Sequence, residues 1–407
     1  MLKKILSIIL LSMFVFGLNA QEHGSHESPN GDESHDSHHA FDPAESAFHH
    51  ISNHNVYSIG PWNIPLPCIL YAPEEGWSMF MSGVFEPSAE HHGTGHKAYK
   101  KYVLDKGIVK HVADPSFPSE EVKIEDVVTR EEMVDGKKKD VSYVKYNGKE
   151  YKLDSKSTMD GGVFGGGITS FYDFSITKNV AGMMLVALFL MWVFIRVART
   201  YKEREGKAPK GIQNFLEPLF LFIQDEVTKP FLGDKWEKYN PFLMTLFFFI
   251  LGLNLFGQIP FFGGSNITGN LAVTMVLAIV TFFVVNLNGN KNYWEHVLWM
   301  PGVPAWVKTI LTPVEIMSMF IKPMTLMLRL FANIVAGHIV IAIFIGLIFV
   351  FGKSGQLVGA SYGTSVVSML LAMFMMSLEI LVAFVQAYVF TILTASYLSA
   401  ATEEAHH

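Results

Sequence analysis

Apolar and polar positions divide this chain into two unlike halves. In the second half, long apolar runs are separated by short polar stretches. Val180 to Val197 is nearly free of charge, Pro241 to Pro260 and Leu271 to Leu287 follow, and Pro313 to Phe351 and Val366 to Ala401 are much longer. A helix of about 20 apolar residues crosses a ~30 Å hydrocarbon core. The pattern therefore predicts an all-α integral membrane domain over residues 178–407 with about five spans, the last two unusually long. Between the first two runs, GIQNFLEPLFLFIQDEVTKPF mixes apolar and charged residues. It reads as a helix in the interface or packed on the bundle, not as a span.

The first half follows another period. VSYVKYNGKEYKL alternates in polarity around Asn147-Gly148, a strong signal for a hairpin with a primed turn. Asp135-Gly136 marks a second turn before three lysines, Lys137 to Lys139. Residues 61–177 are expected to form a small β-rich module closed by a linker, Gly161 to Gly167. Nothing in it looks catalytic. Residues 21–60 are rich in His, Ser, Glu, Asp and Gly, and read as a solvated tail; a metal-gathering role for its histidines is the competing reading. Residues 1–20 place Lys3 and Lys4 before an apolar run that ends at Ala20, the layout of a cleaved signal peptide, with an uncleaved span as the alternative.

Composition narrows the function classes. Apolar residues make up 50% of the chain and charged ones 17%, well under the roughly 25% of soluble domains. The net charge of −6 excludes the basic surface a nucleic-acid partner would want. A single cysteine, Cys68, permits no internal disulfide and reads as a buried structural thiol. Arg196, Arg199, Lys202, Arg204, Lys207 and Lys210 crowd the end of the first apolar run, which makes that end cytoplasmic. The β-rich module would then be extracytoplasmic and the C-terminus cytoplasmic, in agreement with the signal peptide.

The chemistry lies in a few ionisable residues inside apolar helix. Each costs about 2.5–3.5 kcal/mol at mid-bilayer on insertion scales, so such residues are rare and usually functional. Glu315, Lys322 and Arg329 recur every seven residues, which keeps them within about 40° on one stripe. Asn333 lies one turn beyond Arg329 on the same face, whereas His338 is about 180° round. In the last run, Glu379 and Gln386 are also seven apart and share a face. Arg329 is then either a structural cation paired with a carboxylate or a working charge. For His338 a hydrogen-bonded core histidine competes with a proton relay through Glu379.

The strings PMTLMLRLFANIVAGH and LEILVAFVQAYVFTILTASYLSAATEE, with NPFLMTLFFFILGLNLFGQIP, GNLAVT and TPVEIMSMFIKP, resemble the a-chain of F-type ATP synthases over roughly residues 170–407. The resemblance implies an essential arginine at Arg329 beside a ring of c-subunits, with accompanying polar positions at Asn333, His338, Glu379 and Gln386. Glu315, Lys322 and Thr325 are secondary polar positions. Many members carry the acid at the place of His338 and the histidine at the place of Glu379, so the pair is exchanged here. Gly257 replaces a carboxylate found in some members. The N-terminal module lies outside the common pattern and is similar to extensions of Bacteroidetes-like members.

The resemblance further implies a non-catalytic, proton-translocating stator subunit in the cell inner membrane. Its partners would be c-ring subunits, b-type peripheral-stalk subunits and, indirectly, the catalytic head, with no cofactor and no metal. No P-loop pattern GxxxxGK[ST] occurs in the chain, so it makes no phosphate bond itself. Two other classes compete: a secondary or metal-ion transporter fed by the histidine tail, and a structural anchor for the module. The transporter reading expects two related halves with broken helices, and no such repeat is visible.

Overall fold

The computed structural model describes residues 53–59, 62–88, 93–134, 137–158, 167–259, 266–300, 302, 304–351 and 358–403. The signal peptide, most of the histidine-rich tail, the Asp135-Gly136 turn, most of the glycine linker, the turn near Lys353 and the last four residues lie outside them.

Strands build the N-terminal half. Trp62–Pro65 (β2) pairs with Val56–Ile59 (β1). Pro67–Ala72 (β3), Gly76–Met81 (β4), Lys97–Tyr99 (β5), Tyr102–Asp105 (β6), Ile108–Val112 (β7) and Val122–Lys123 (β8) follow. Asp126–Val134 (β9), Lys137–Tyr146 (β10), Lys149–Asp154 (β11) and Tyr172–Asp173 (β12) complete the set. Seven of them form an antiparallel sheet in the order β8-β5-β6-β7-β11-β10-β9, and three form a sheet in the order β12-β3-β4. Cys68, Leu70, Ala72, Phe85, Tyr102, Leu104 and Phe171 fill the space between them.

The predicted hairpin is present. Asn147 and Gly148 have φ of 51° and 71° and join β10 to β11 with Tyr146 opposite Lys149. Two further tight turns carry positive φ at both positions, Lys106-Gly107 and Lys100-Lys101. The second puts two lysines where Gly or Asn is favoured, and Lys101 pairs with Glu75 at 3.0 Å.

Two boundaries differ from those read in the sequence. β1 begins at Val56, inside the stretch read as tail, because Asn55, Val56 and Tyr57 are buried and the Asn55 amide bonds Gly107. After the glycine segment the chain re-enters the module: Phe171 is fully buried and β12 pairs with β3. The glycine stretch therefore does not mark the end of the module.

Helices build the rest: Lys178–Glu203 (α1), Ile212–Ile223 (α2), Trp236–Gly257 (α3), Leu271–Leu287 (α4), Lys291–Trp299 (α5), Ala305–Phe351 (α6) and Val358–Thr402 (α7). A π-helical turn over Gln224–Thr228 links α2 into the helical stretch that precedes α3. α2 has 12 residues, ~18 Å, and continues through that turn as part of one long apolar segment, Ile212–Gly257. It packs on the bundle, with Phe222 against Phe384 and Tyr388 of α7. Four helical segments are long and apolar enough to cross a membrane; α4 and α5, bent by 105° at their junction, make a fifth if counted as one span. This is the all-α membrane domain the apolar runs predict. With 47 residues, α6 is ~70 Å long. A straight helix of that length fits a ~30 Å core only when steeply tilted; Pro313 and Pro323 lie inside it.

Candidate functional site: a polar seam between the two long helices

Packing gives α6 two faces. Leu326, Met327, Leu330 and Ile334 are buried, while Thr325, Leu328, Arg329, Ala332, Asn333 and Ala336 are exposed. The small residues Ala332 and Ala336 leave the Arg329–Asn333 surface low and open to close approach. Among the described residues no carboxylate pairs with Arg329. Thr325 turns its hydroxyl back to donate to the Ile321 carbonyl at 2.9 Å.

His338 lies on the other side of α6, as the helical spacing requires. Its Nε2 is 3.4 Å from Oε1 of Glu379 on α7. Glu379 is only 4% exposed. A Cβ built on Gly337 would stand 3.2 Å from the same carboxylate oxygen, so glycine at 337 lets that side chain lie across the helix backbone. The Lys322 ammonium sits 5.6 Å from the ring centroid of Tyr397. These two contacts fix the antiparallel register of α6 and α7. Asn333 comes level with Gln386, which is buried, and Arg329 comes level with Phe390.

Along the stripe of Glu315, Lys322 and Arg329 the exposure is uneven. Lys322 and Glu315 are half-buried while Arg329 is exposed. The Lys322 ammonium lies over the Tyr397 ring, and Pro323 is next to it inside the helix. Lys322 lines a cavity of about 30 Å³ shared with Thr281, Asn286, Tyr293 and Tyr397, which is room for at least one water molecule.

Two residues were not assigned a role from sequence. Gln258 Nε2 donates to the Glu379 carbonyl at 2.9 Å, and Asn254 Nδ2 donates to the Ala383 carbonyl at 3.1 Å. The two amides, Asn254 on α3 and Gln258 just past its end, thus grip two carbonyls one turn apart on α7, beside the carboxylate. Their other amide oxygens are buried without a protein partner. The signal was present as two amides at i and i+4 in an apolar run, and no charge drew attention to it.

The far end of α7 is also fixed. Asn290 donates to the carbonyls of Ala401 and Thr402, both at 2.9 Å, and Lys235 donates to Thr402 at 2.8 Å. These bonds satisfy orphan carbonyls at the helix end and tie it to the bend between α4 and α5. The α6–α7 pair is thus tied at the Thr402 end and carries an exposed cation, Arg329, partway along it.

Comparison with known proteins supplies the context. Residues 180–399 match the family model for the ATP synthase A chain, more than half of the sequence. The chain belongs to the ATP synthase A-chain family. It is 40% identical to ATP synthase subunit a of Chloroherpeton thalassium over 58% of this chain and 69% of that protein. It is 37% identical to the subunit a of Chlorobium phaeobacteroides over 64% of this chain and 74% of the relative. With that of Myxococcus xanthus it shares 40% identity over 58% and 75%. Residues 46–164 match a domain family of unknown function, DUF8433. Membership of the A-chain family leaves the transporter reading without support. Among the described residues no group of three or more His, Cys, Asp or Glu is placed to hold a metal.

Proposed function

We propose that this chain passes protons to and from a rotor on either side of Arg329, with the His338–Glu379 pair on one side of it and the Lys322–Tyr397 cavity on the other. It is the proton-channel stator subunit of an ATP synthase membrane sector, a multi-pass membrane protein that works in complex with the other subunits. The observation that carries the reading is the placement of Arg329. It is exposed on a low face of α6, nine residues from His338 and seven from Lys322, or ~13 and ~10 Å along the helix. Two polar sites thus lie on opposite sides of one fixed charge.

That arrangement suits a rotor carboxylate. In lipid the carboxyl must be neutral, because a bare charge there is too costly. Opposite Arg329, whose guanidinium does not deprotonate, the ionised form is favoured. The rotor group gives up its proton on one side of Arg329 and regains one on the other, and the positive charge bars direct passage between them. His338 and Glu379 line the path from the module's side, which the basic residues after α1 make the periplasm of an inner membrane. Asn333 and Gln386, level with each other, orient Arg329 and the water near it. Glu315, Lys322 and Thr325 serve the cytoplasmic side. A ring of c-subunits faces the Arg329 surface, a b-type stalk holds the chain against rotation, and the distant head makes the phosphate bond. The driving force is about 2.3 kcal/mol per proton per 100 mV.

The test is ATP-driven pumping in inverted vesicles. Arg329→Ala is expected to abolish it while hydrolysis by the detached head persists. Full coupled pumping in that variant would end the proposal.

A further inference from the structure

The three-stranded sheet of the N-terminal module has one face on the module core and, among the described residues, nothing on the other. Along β3, Cys68, Leu70 and Ala72 point inward while Pro67, Ile69 and Tyr71 point out. Register places Met81, Met79 and Trp77 of β4 beside them. On the other flank, the Ile176 and Phe174 amides bond the carbonyls of Pro67 and Ile69, and Tyr172 pairs with Tyr71. The outer face is thus a three-by-three array without a charge. Trp77, Met79 and Phe174 are 59%, 68% and 46% exposed, which is unusual for so large a contiguous apolar surface.

Two observations say what covers it. The array runs directly into a lipid-facing helix. Ile176 is two residues before α1, and the join is stiff: the Lys178 amide bonds the His54 carbonyl, and Asn53 bonds both Thr177 and Asn179. On α1 itself Met184, Leu185, Leu188, Met191, Trp192 and Ile195 are exposed, the surface a spanning helix turns to acyl chains. The array is also graded in polarity. The tier nearest α1 is aliphatic (Met81, Pro67, Ile176), the middle tier is Met79, Ile69 and Phe174, and the far tier is Trp77, Tyr71 and Tyr172. Aliphatic groups toward the core and Trp and Tyr at headgroup level is the order of a membrane interface. A protein partner would impose no such gradient.

We infer that the outer face of the β12-β3-β4 sheet docks on the lipid surface of the leaflet next to the start of α1, as an interfacial anchor for the module. The tiers are ~7 Å apart, and a headgroup layer is roughly 6 Å thick. The strands therefore lie well over toward the membrane plane. The inference rests on α1 crossing a bilayer and not on the proton path.

The test uses the full chain in phosphatidylcholine vesicles. Cys68, the only cysteine, is buried, so a thiol introduced on the surface takes an environment-sensitive fluorophore selectively. Met79→Cys and Met81→Cys replace exposed side chains, and Lys152→Cys on β11, also exposed, serves as the distant control. A lipid carrying a nitroxide near its headgroup is expected to remove roughly half or more of the emission at positions 79 and 81, with iodide in the buffer nearly without effect. Lys152→Cys should give the reverse. Quenching by iodide alone at positions 79 and 81 would mean a solvated face and would overturn the inference. Shielding from both quenchers would mean that protein covers the face, a partner or a second copy, and would overturn it equally.

Discussion

Nε2 of His338 and Oε1 of Glu379 face each other at 3.4 Å across the seam between α6 and α7, with the carboxylate almost fully buried. Among the described residues neither has another side-chain partner, so each defines the other's surroundings. If the pair passes protons, either residue changed alone breaks the relay, and exchanging them keeps one acid and one imidazole in the same gap. Glu379→Gln and His338→Gln are expected to lower ATP-driven pumping in inverted vesicles by at least about tenfold. The exchange H338E/E379H should recover most of that loss. A double variant as slow as the singles would show that orientation, not composition, sets the rate; unchanged pumping in Glu379→Gln would remove Glu379 from the path.

Gly337 separates stability from transport. A methyl group there would meet the Glu379 side chain at 3.2 to 3.5 Å, so the carboxylate must shift by a few tenths of an ångström. Alanine also favours helix over glycine by about 1 kcal/mol. Gly337→Ala should therefore hold or raise the melting temperature of the complex while pumping falls several-fold. A parallel fall in both would mean that the residue matters only for packing.

Legibility differed with the kind of interaction. The spans, the Asn147-Gly148 hairpin and the opposite facing of Arg329 and His338 could be read directly, because period and turn chemistry are local. The Lys100-Lys101 turn could not, since Lys101, at positive φ, pairs with Glu75, more than twenty residues away. The return of Phe171 to the module core was hidden for the same reason: a glycine-rich stretch looks like a linker whether or not the chain comes back. Within the site, charges in apolar helix drew attention to Arg329, His338 and Glu379. The amides of Asn254 and Gln258 act through carbonyls of another helix, a pairing no spacing along one helix can reveal.

The grip of α3 on α7 can be tested through Gln258. Its amide bonds a carbonyl that already belongs to the helix, so removing it strands no acceptor. Loss of such a bond costs about 0.5–1.5 kcal/mol. Gln258→Leu is expected to lower stability by no more than this and pumping by several-fold, because the segment carrying Glu379 is no longer held. Normal pumping with the full stability loss would limit Gln258 to a structural role.

In the module, Asp105 is buried and accepts from Lys110 at 2.7 Å and Ser142 at 2.9 Å. Lys110 also donates to Ser142 at 2.8 Å. Removing one member of a buried pair strands the other, at about 3–5 kcal/mol in full burial; Lys110 keeps some access to water, so the lower end applies. Asp105→Ala should expose the module to protease at distinctly lower urea while the membrane helices stay protected. Equal resistance to the unaltered chain would show that Lys110 simply swings out to solvent.

Acid should weaken the same module through His111. The ring is buried, with Nδ1 3.0 Å from Ser170 Oγ and Nε2 3.4 Å from Glu75 Oε2. Burial lowers its pKa below the usual histidine value, and Glu75 only partly offsets this. The unfolded chain therefore takes up a proton near pH 6.5, while the folded module resists until the pH is lower. Between those two values the unfolded state binds more protons, so stability falls as the pH falls. It is fully present above about pH 6.5 and is lost toward the lower folded pKa. The urea midpoint for proteolysis of the module should drop between about pH 7.5 and 5.5, the range in which a histidine titrates. His111→Gln, compared at each pH under the same protease, should flatten that drop. An equal drop in the variant would assign the acid sensitivity to other groups.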